Sequence, residues 1–246
     1  MKRAGGVRIV TLPGVFRPIS DTWLLADALD GEPLPERARI LDLCSGSGAL
    51  AVRAALALRE REVWAVDVSR RAVLTTRVNA ALNRVSVRAV RGDLLGAVGD
   101  ARFDAIVTNP PYVPAPYDAL PTAGARRAWD AGLDGRALLD RICQEAPRHL
   151  RPGGVLFVVH SSLLGLDATT DALRTGGLQV DVAVRERGPL GPLMEERREH
   201  LEATGLLAPG ESDEEVVVVR GRRDTQTQSG TRNASVSAVS PATPIP

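Results

Sequence analysis

The chain is 246 residues long, 44% hydrophobic and 25% charged, the ordinary balance of a soluble globular protein with enough apolar residues for a sizeable core. Thirty-one basic against thirty acidic residues leave a formal charge of +1, which excludes a global attraction to nucleic acid or to an anionic membrane and leaves only a local basic face open. Two isolated cysteines, Cys44 and Cys143, exclude a disulfide framework or a zinc motif, so no metal site is expected. "MKRAGGVRIVTLPGVF" lacks the apolar core of a signal peptide, and no run of about eighteen apolar residues suggests a membrane span, so the expected setting is the cytoplasm.

Residues 1–38 are too few for an independent domain and read as a short N-terminal extension packed on the core. Within them "GVFRPISDTWLLADAL" carries a helix start, with Ser20 or Asp21 as N-cap before the apolar Trp23, Leu24 and Leu25. From Arg39 short apolar runs alternate with helical segments. "ARILDLC", "REVWAVDV", "VSVRAV", "FDAIVTN" and "GGVLFVVHS" read as strands, while "GALAVRAALALR", "SRRAVLTTRVNAALNR", "GRALLDRICQEAPRHL" and "LGLDATTDALRT" read as helices. Val- and Ile-rich strands without strict alternation, separated by amphipathic helices, predict a doubly wound parallel sheet covered on both faces. "LQVDVAVRER" and "EEVVVVRG" have no full crossover unit between them and predict an antiparallel hairpin at the sheet edge, with the intervening arm near the active face. The α/β domain spans 39–220, and the small, polar residues of 221–246 read as a disordered tail.

"ILDLCSGSGALA" places Asp42 at a strand end and Gly46 and Gly48 in the turn into a helix, and Asp67 ends the next strand about twenty residues later. In doubly wound folds ligands bind at the carboxyl ends of the strands, where glycines allow close approach and an acid on the second strand binds ribose hydroxyls. A nucleoside-containing cofactor follows. "GSGALA" also fits the dinucleotide pattern, so NAD and an oxidoreductase form the rival class. Against it, Asp42 would face a pyrophosphate with like charge, whereas it suits the α-ammonium of a methionine moiety. Asp93 in "RGDLL" suits an exocyclic adenine amine.

"DAIVTNPPYVP" leaves its strand through Asn109, Pro110, Pro111 and Tyr112. Each proline fixes its own backbone and pushes the residue before it into an extended conformation, so the loop is stiff. Taken alone it is also an ordinary strand terminator. His149, His160 and His200, and the charged cluster Glu195, Glu196, Arg197 and Arg198, read as structural or solvated groups; Trp129 and Asp130 fit either a substrate entrance or plain packing.

With these residues assembled, the chain resembles the class I S-adenosylmethionine-dependent methyltransferases, and in particular the HemK/PrmC-like protein-glutamine N5-methyltransferases. The resemblance spans about residues 14–220 and rests on "PGVFRPISDTWLLADAL", "ILDLCSGSGALA", "VWAVDVS", "RGDLL", "TNPPYV", "WDAGLDGRALLDRI" and "LRPGGVLFVV" in that order. It implies a seven-stranded, mostly parallel Rossmann-like sheet with an antiparallel edge strand, and S-adenosyl-L-methionine as cofactor. It assigns Thr22, Asp42, Cys44, Gly46, Gly48, Asp67, Val68, Asp93, Leu94 and Asn109 to the cofactor. It gives Asn109 the amide to be methylated, with Pro110, Pro111 and Tyr112 shaping the pocket. Cys44 departs from a common glycine of the cofactor loop, and Ala131 from a common glycine in the stretch before Asp134, Gly135 and Arg136. The implied substrate is a protein glutamine, by the family's pattern in the Gly-Gly-Gln loop of a translation release factor. The compact subgroup, without a separate helical N-terminal domain, can work with a small zinc-binding partner subunit. The same tetrapeptide also serves exocyclic amines of nucleic-acid bases, and a small planar amide or amine fits it too.

Overall fold

A computed structural model describes residues 6–57 and 60–225. Its core is one seven-stranded sheet, from β1 (Arg39–Leu43), β2 (Glu62–Asp67), β3 (Arg88–Arg91), β4 (Phe103–Thr108), β5 (Leu150–Ser161), β6 (Leu178–Pro189) and β7 (Asp213–Arg223), in the order β3-β2-β1-β4-β5-β7-β6. The first five strands are parallel, and β7 runs antiparallel between β5 and β6. The antiparallel strand is therefore one position in from the rim, because β7 pairs on both sides and leaves β6 as the edge. Strand order reverses between β1 and β4, which opens a crevice at their carboxyl ends.

Both sheet faces are buried, which is why the strands are apolar without alternation. Leu41 and Leu43 of β1 face one core, shared with Leu139, Ile142 and Ala146 of α4 (Ala137–His149) and Leu173 of α5 (Leu166–Thr175). Ile40 faces the other, shared with Leu25 and Leu29 of α1 (Ser20–Asp30) and Leu50 and Ala54 of α2 (Ala49–Ala57). Between β2 and β3 lies α3 (Arg70–Leu82), whose N-cap Ser69 accepts from Ala72 N–H at 3.4 Å.

Two sequence expectations need correction. Ser20 and Asp21 do not cap α1: Ile19 occupies the cap position, and the buried Asp21 turns its carboxylate away, toward the loop after β4. Strand β7 continues to Arg223, past the boundary expected at 220, because Leu178, Gln179 and Val180 of β6 pair with Arg223, Arg222 and Gly221. The expected tail otherwise falls largely on 226–246, outside the described residues. No helix among the described residues is long and apolar enough to cross a membrane.

The extension lies along α3, held by two asparagines whose side-chain amides mimic a strand edge. Asn83 exchanges hydrogen bonds with the N–H and carbonyl of Arg8 at 2.9 and 2.7 Å, and Asn79 does the same for Val10 at 2.9 and 2.8 Å. Asn79 is fully buried and also donates to the Ser47 carbonyl at 2.9 Å, so one side chain joins the extension to the glycine loop after β1. Between β6 and β7 an arm carries α6 (Pro192–Glu196) and α7 (Arg198–Ala203); its Leu190, Met194, Leu201 and Leu207 form a small third core with Val113. Replacing Asn79 by Ala strands buried polar groups, so Asn79→Ala is expected to cost about 2 kcal/mol in urea unfolding, and Asn83→Ala, at an exposed contact, less than about 1 kcal/mol.

Candidate active site

At the carboxyl ends of β1 and β2 the chain forms a cradle. Cys44 (φ +60°) and Gly46 (φ +51°) take left-handed backbone conformations, Ser45 N–H donates to the Val66 carbonyl at 3.0 Å, and Asp67 ends β2 beside them. Asp67 accepts from Gly46 N–H at 2.9 Å and from Ser69 N–H at 2.8 Å, so its carboxylate fixes the loop. Burial pushes Asp67 up from its usual range, and those N–H donors pull it back. The left-handed turn explains why a glycine is common where Cys44 stands, since only glycine enters that region without strain. The Cys44 thiol is pushed far up by burial and by the Asp67 charge, so it stays protonated.

Asp42 is 1% exposed. One oxygen accepts from Ala51 N–H at 3.0 Å, and the other is buried without a hydrogen-bond partner. Burial drives its pKa up to about 8, which Ala51 N–H opposes and the Asp67 charge reinforces. The hydroxyls of Ser45 and Thr108 are likewise buried and unpartnered. Asp93 follows β3, is exposed, and pairs with Arg141 of α4 at 2.7 and 3.3 Å; Leu94 after it is buried with φ +45°.

Strand β4 delivers the stiff loop to the same place. Asn109 donates its amide to the Thr22 hydroxyl at 3.3 Å, and among the described residues nothing donates to its side-chain oxygen. The Tyr112 hydroxyl donates to Asp21; burial, then the Asp21 charge and this bond, push the phenol well above its ordinary value, so it stays protonated. Beyond it, Val113 N–H donates to the Trp129 carbonyl at 2.8 Å, Ala131 N–H to the Val113 carbonyl at 3.0 Å and Ala115 N–H to the Gly132 carbonyl at 2.8 Å. The buried Asp130 between these contacts is held by Tyr117 and by Arg197 of the arm.

A single cavity of about 990 Å³ joins these parts. Asp42, Cys44, Gly46, Asp67, Val68, Asp93 and Leu94 line it, as do Thr22 and the loop residues Asn109, Pro110, Pro111 and Tyr112. Gly48 does not line it: it is a packing glycine (φ +74°), where a Cβ would sit 2.6 Å from the Thr76 side chain. Thr22 contacts Asn109 directly, a link the sequence did not reveal. Arg197 also departs from the expected solvated cluster, for it reaches Asp130 at 3.3 Å while Glu195 and Arg198 pair at the surface. His160 is buried in the core, where burial lowers its pKa to about 4, and His149 and His200 bond to backbone carbonyls. Arg141 and Glu214 line the cavity without having been singled out, and Asp21, expected only as a helix cap in "SDT", lines it too.

A sheet of this order, with a cavity at its reversal point and acids closing β1 and β2, defines the class I methyltransferase fold. The model of the methyltransferase small domain matches residues 6–120. A Methanocaldococcus jannaschii protein that carries the name protein N5-glutamine methyltransferase is 32% identical over 189 residues, 77% of this chain and 93% of that protein. The release factor glutamine methyltransferase of Deinococcus radiodurans is 38% identical over 188 residues, 72% of this chain and 65% of that protein. Among solved structures, the E. cuniculi Mtq2-Trm112 complex, responsible for methylation of the eRF1 termination factor, superposes with a TM-score of 0.57 at 21% identity, covering 86% of this chain and 99% of that one. The chain belongs to the HemK/PrmC-like family of protein N5-glutamine methyltransferases.

Gly135 sets the far side of the loop: with φ +74°, a Cβ there would stand 2.4 Å from the Tyr112 carbonyl oxygen and 3.1 Å from Pro114. Gly124 has a similar φ of +81° but open space around it. Gly135→Ala is expected to cost about 2–4 kcal/mol in chemical denaturation, and Gly124→Ala only the backbone strain of about 1 kcal/mol.

Proposed function

We propose that the chain transfers a methyl group from S-adenosyl-L-methionine to the side-chain amide nitrogen of a glutamine in a protein, that of the Gly-Gly-Gln loop of a translation release factor. The observation that carries this reading is the orientation of Asn109. Its NH2 is committed to Thr22, which leaves its oxygen as an acceptor at the end of β4. The Pro110 carbonyl, with no donor among the described residues, is the second acceptor. Two acceptors in a stiff loop fit a planar NH2 group.

The cradle fits the cofactor. The unpartnered oxygen of Asp42 suits an α-ammonium, Asp67 retains lone pairs for ribose hydroxyls, and Asp93 and Leu94 stand at the outer end for the adenine. When bound, the cofactor supplies an electrophilic methyl on a sulfonium. The chain's own task is to orient the nucleophile. An amide nitrogen is weak because its lone pair is delocalised into the carbonyl. Hydrogen bonds from the substrate NH2 to Asn109 Oδ1 and the Pro110 carbonyl aim that lone pair and favour the positive charge that develops on nitrogen. Alignment of this kind can supply about 7 kcal/mol of barrier reduction. Tyr112 closes the side of the amide slot. None of the three histidines lines the cavity to act as a base, and none is needed, because the cationic N-methylated amide is acidic enough to release its proton to water once the methyl has left the sulfonium. A small zinc-binding partner subunit belongs to the same reading, supported by the two-protein E. cuniculi complex.

Labelled-cofactor assays on purified release factor test the assignment. Transfer is expected to the wild-type factor, to be lost on its Gln→Ala version and to be absent on DNA; label that persists on the Gln→Ala protein removes the proposal. Asn109→Ala is expected to reduce turnover by about a hundred- to a thousandfold while S-adenosylhomocysteine still binds, as expected where an oriented transition-state acceptor is lost.

Cofactor affinity should also depend on pH. Asp42 is protonated below about 8 in the ligand-free protein, and an ammonium pairs with its carboxylate, so binding below that pH releases a proton. Calorimetry is expected to show S-adenosylhomocysteine affinity rising from pH 6 to about 8 and flattening above, and Asp42→Asn to weaken binding and remove the slope.

A further inference from the structure

One acid in the cavity has no task in the scheme above. Strand β7 outruns β5, since their pairing reaches only Val216 opposite Ser161, so Glu214 stands above the carboxyl ends of the parallel strands, beside Gly188 of β6. It is 8% exposed and lines the cavity that Asn109 and Tyr112 line. One oxygen accepts from Gly191 N–H at 2.7 Å, and the other is buried with no partner. The two buried acids beside it are satisfied, since Asp21 takes the Tyr112 and Ser20 hydroxyls and Asp130 takes Tyr117 and Arg197, while Glu186, which also lines the cavity, is exposed to solvent. Tyr112 cannot serve Glu214 as well, because its one proton is given to Asp21.

We propose that the unpartnered oxygen of Glu214 is a substrate-binding acceptor that takes a main-chain N–H of the polypeptide flanking the methylated amide. An open acceptor in a low-exposure site is costly until a donor arrives, and it rejects any ligand that brings none there. Its other oxygen already captures a main-chain N–H, that of Gly191, at the start of the arm that walls this end of the cavity. Asn109 and Pro110 hold the amide; Glu214, at the arm, holds the chain that carries it. The enzyme thereby distinguishes a polypeptide from a free planar amide or a flipped base, neither of which offers a peptide N–H at that distance from the reacting nitrogen. This inference rests on the amide-methylation reading and adds to it the means by which a protein substrate is selected.

Glu214→Gln is the informative variant, because its amide oxygen still accepts from Gly191 N–H while an NH2 replaces the open acceptor and opposes an incoming N–H. With wild-type and variant proteins methylating intact release factor, KM for the factor is expected to rise about tenfold or more, with kcat within about twofold. The melting temperature and the affinity for S-adenosylhomocysteine should stay at wild-type values. An unchanged KM overturns the role of Glu214 and leaves the amide reading intact. A fall in kcat with a lowered melting temperature and unchanged KM assigns Glu214 to holding the arm and likewise overturns the proposal. Absence of transfer to release factor by the wild-type protein overturns the amide reading itself, and this inference with it.

Discussion

Two adjacent residues of one helix hold the reactive loop. Asp21 takes the hydroxyl of Tyr112 and Thr22 takes the amide of Asn109, across separations of 91 and 87 residues in sequence. A strand end followed by two prolines is stiff, but stiffness alone does not say which way the asparagine points. The Thr22 contact does, because an NH2 that is already committed leaves the carbonyl oxygen for the cavity. Helix α1 is therefore part of the candidate site, and its position is inherited from elsewhere: Leu25 and Leu29 bury it against the sheet, beside α2. The apolar core thus sets the direction of one polar atom.

The opposite side of the loop is fixed in a different way. There the backbone of Val113 and Ala115 pairs with the stretch from Trp129 to Gly132, and Gly135 lets the Tyr112 carbonyl approach closer than any side chain would allow. Asp130 has a fully buried side chain and meets Arg197 from the arm. Such a pair adds little net stability once desolvation is counted, yet breaking it would leave a buried charge, so it resists any other docking of the arm. The arm is the wall that a substrate chain would pass, and the same ion pair that seats it also braces the loop.

How far this was legible in the sequence follows from the range of the physics involved. The parallel sheet was readable because burial on both faces demands continuous Val and Ile, and that pattern is local. The cradle and the stiff loop were readable because left-handed turns and proline constraints are local too. Asp21 was misread for the complementary reason: an acid at the first turn before Trp23 and Leu24 has the same local pattern whether it caps its own helix or reaches a tyrosine far along the chain. Arg197 looked solvated inside a charged cluster, and its partner lies 67 residues away. Glu214 begins "EEVVVV", where an acid reads as the wet end of a strand. Only the offset between β7 and β5 turns it inward. Gly48 matched a glycine motif, but its reason is the close approach of Thr76.

The acids along the cavity differ in burial, and that gradient bears on which ligand the cradle can accept. Asp42 and Asp67 lie deepest, and burial raises both, Asp42 to about 8; Asp93 at the outer end is exposed and neutralised by Arg141. A pyrophosphate placed against the glycine loop would bring negative charge and no donor to Asp42 and Asp67, whose carboxylates it could only keep protonated, and the N–H of Gly46 that might have greeted it is spent on Asp67. A ligand with positive charge at one end and a neutral nucleoside at the other meets the opposite situation. Its ammonium restores the carboxylate that burial has suppressed at Asp42, while the uncharged base lies toward Asp93 and Leu94, where no buried charge needs compensation. In the proposed reading the orientation of the cofactor would thus be set by where desolvation is most costly, with Asp42 and Asp67 holding its amino-acid and ribose parts and the open oxygen of Asn109 at the end of β4 left for the amide.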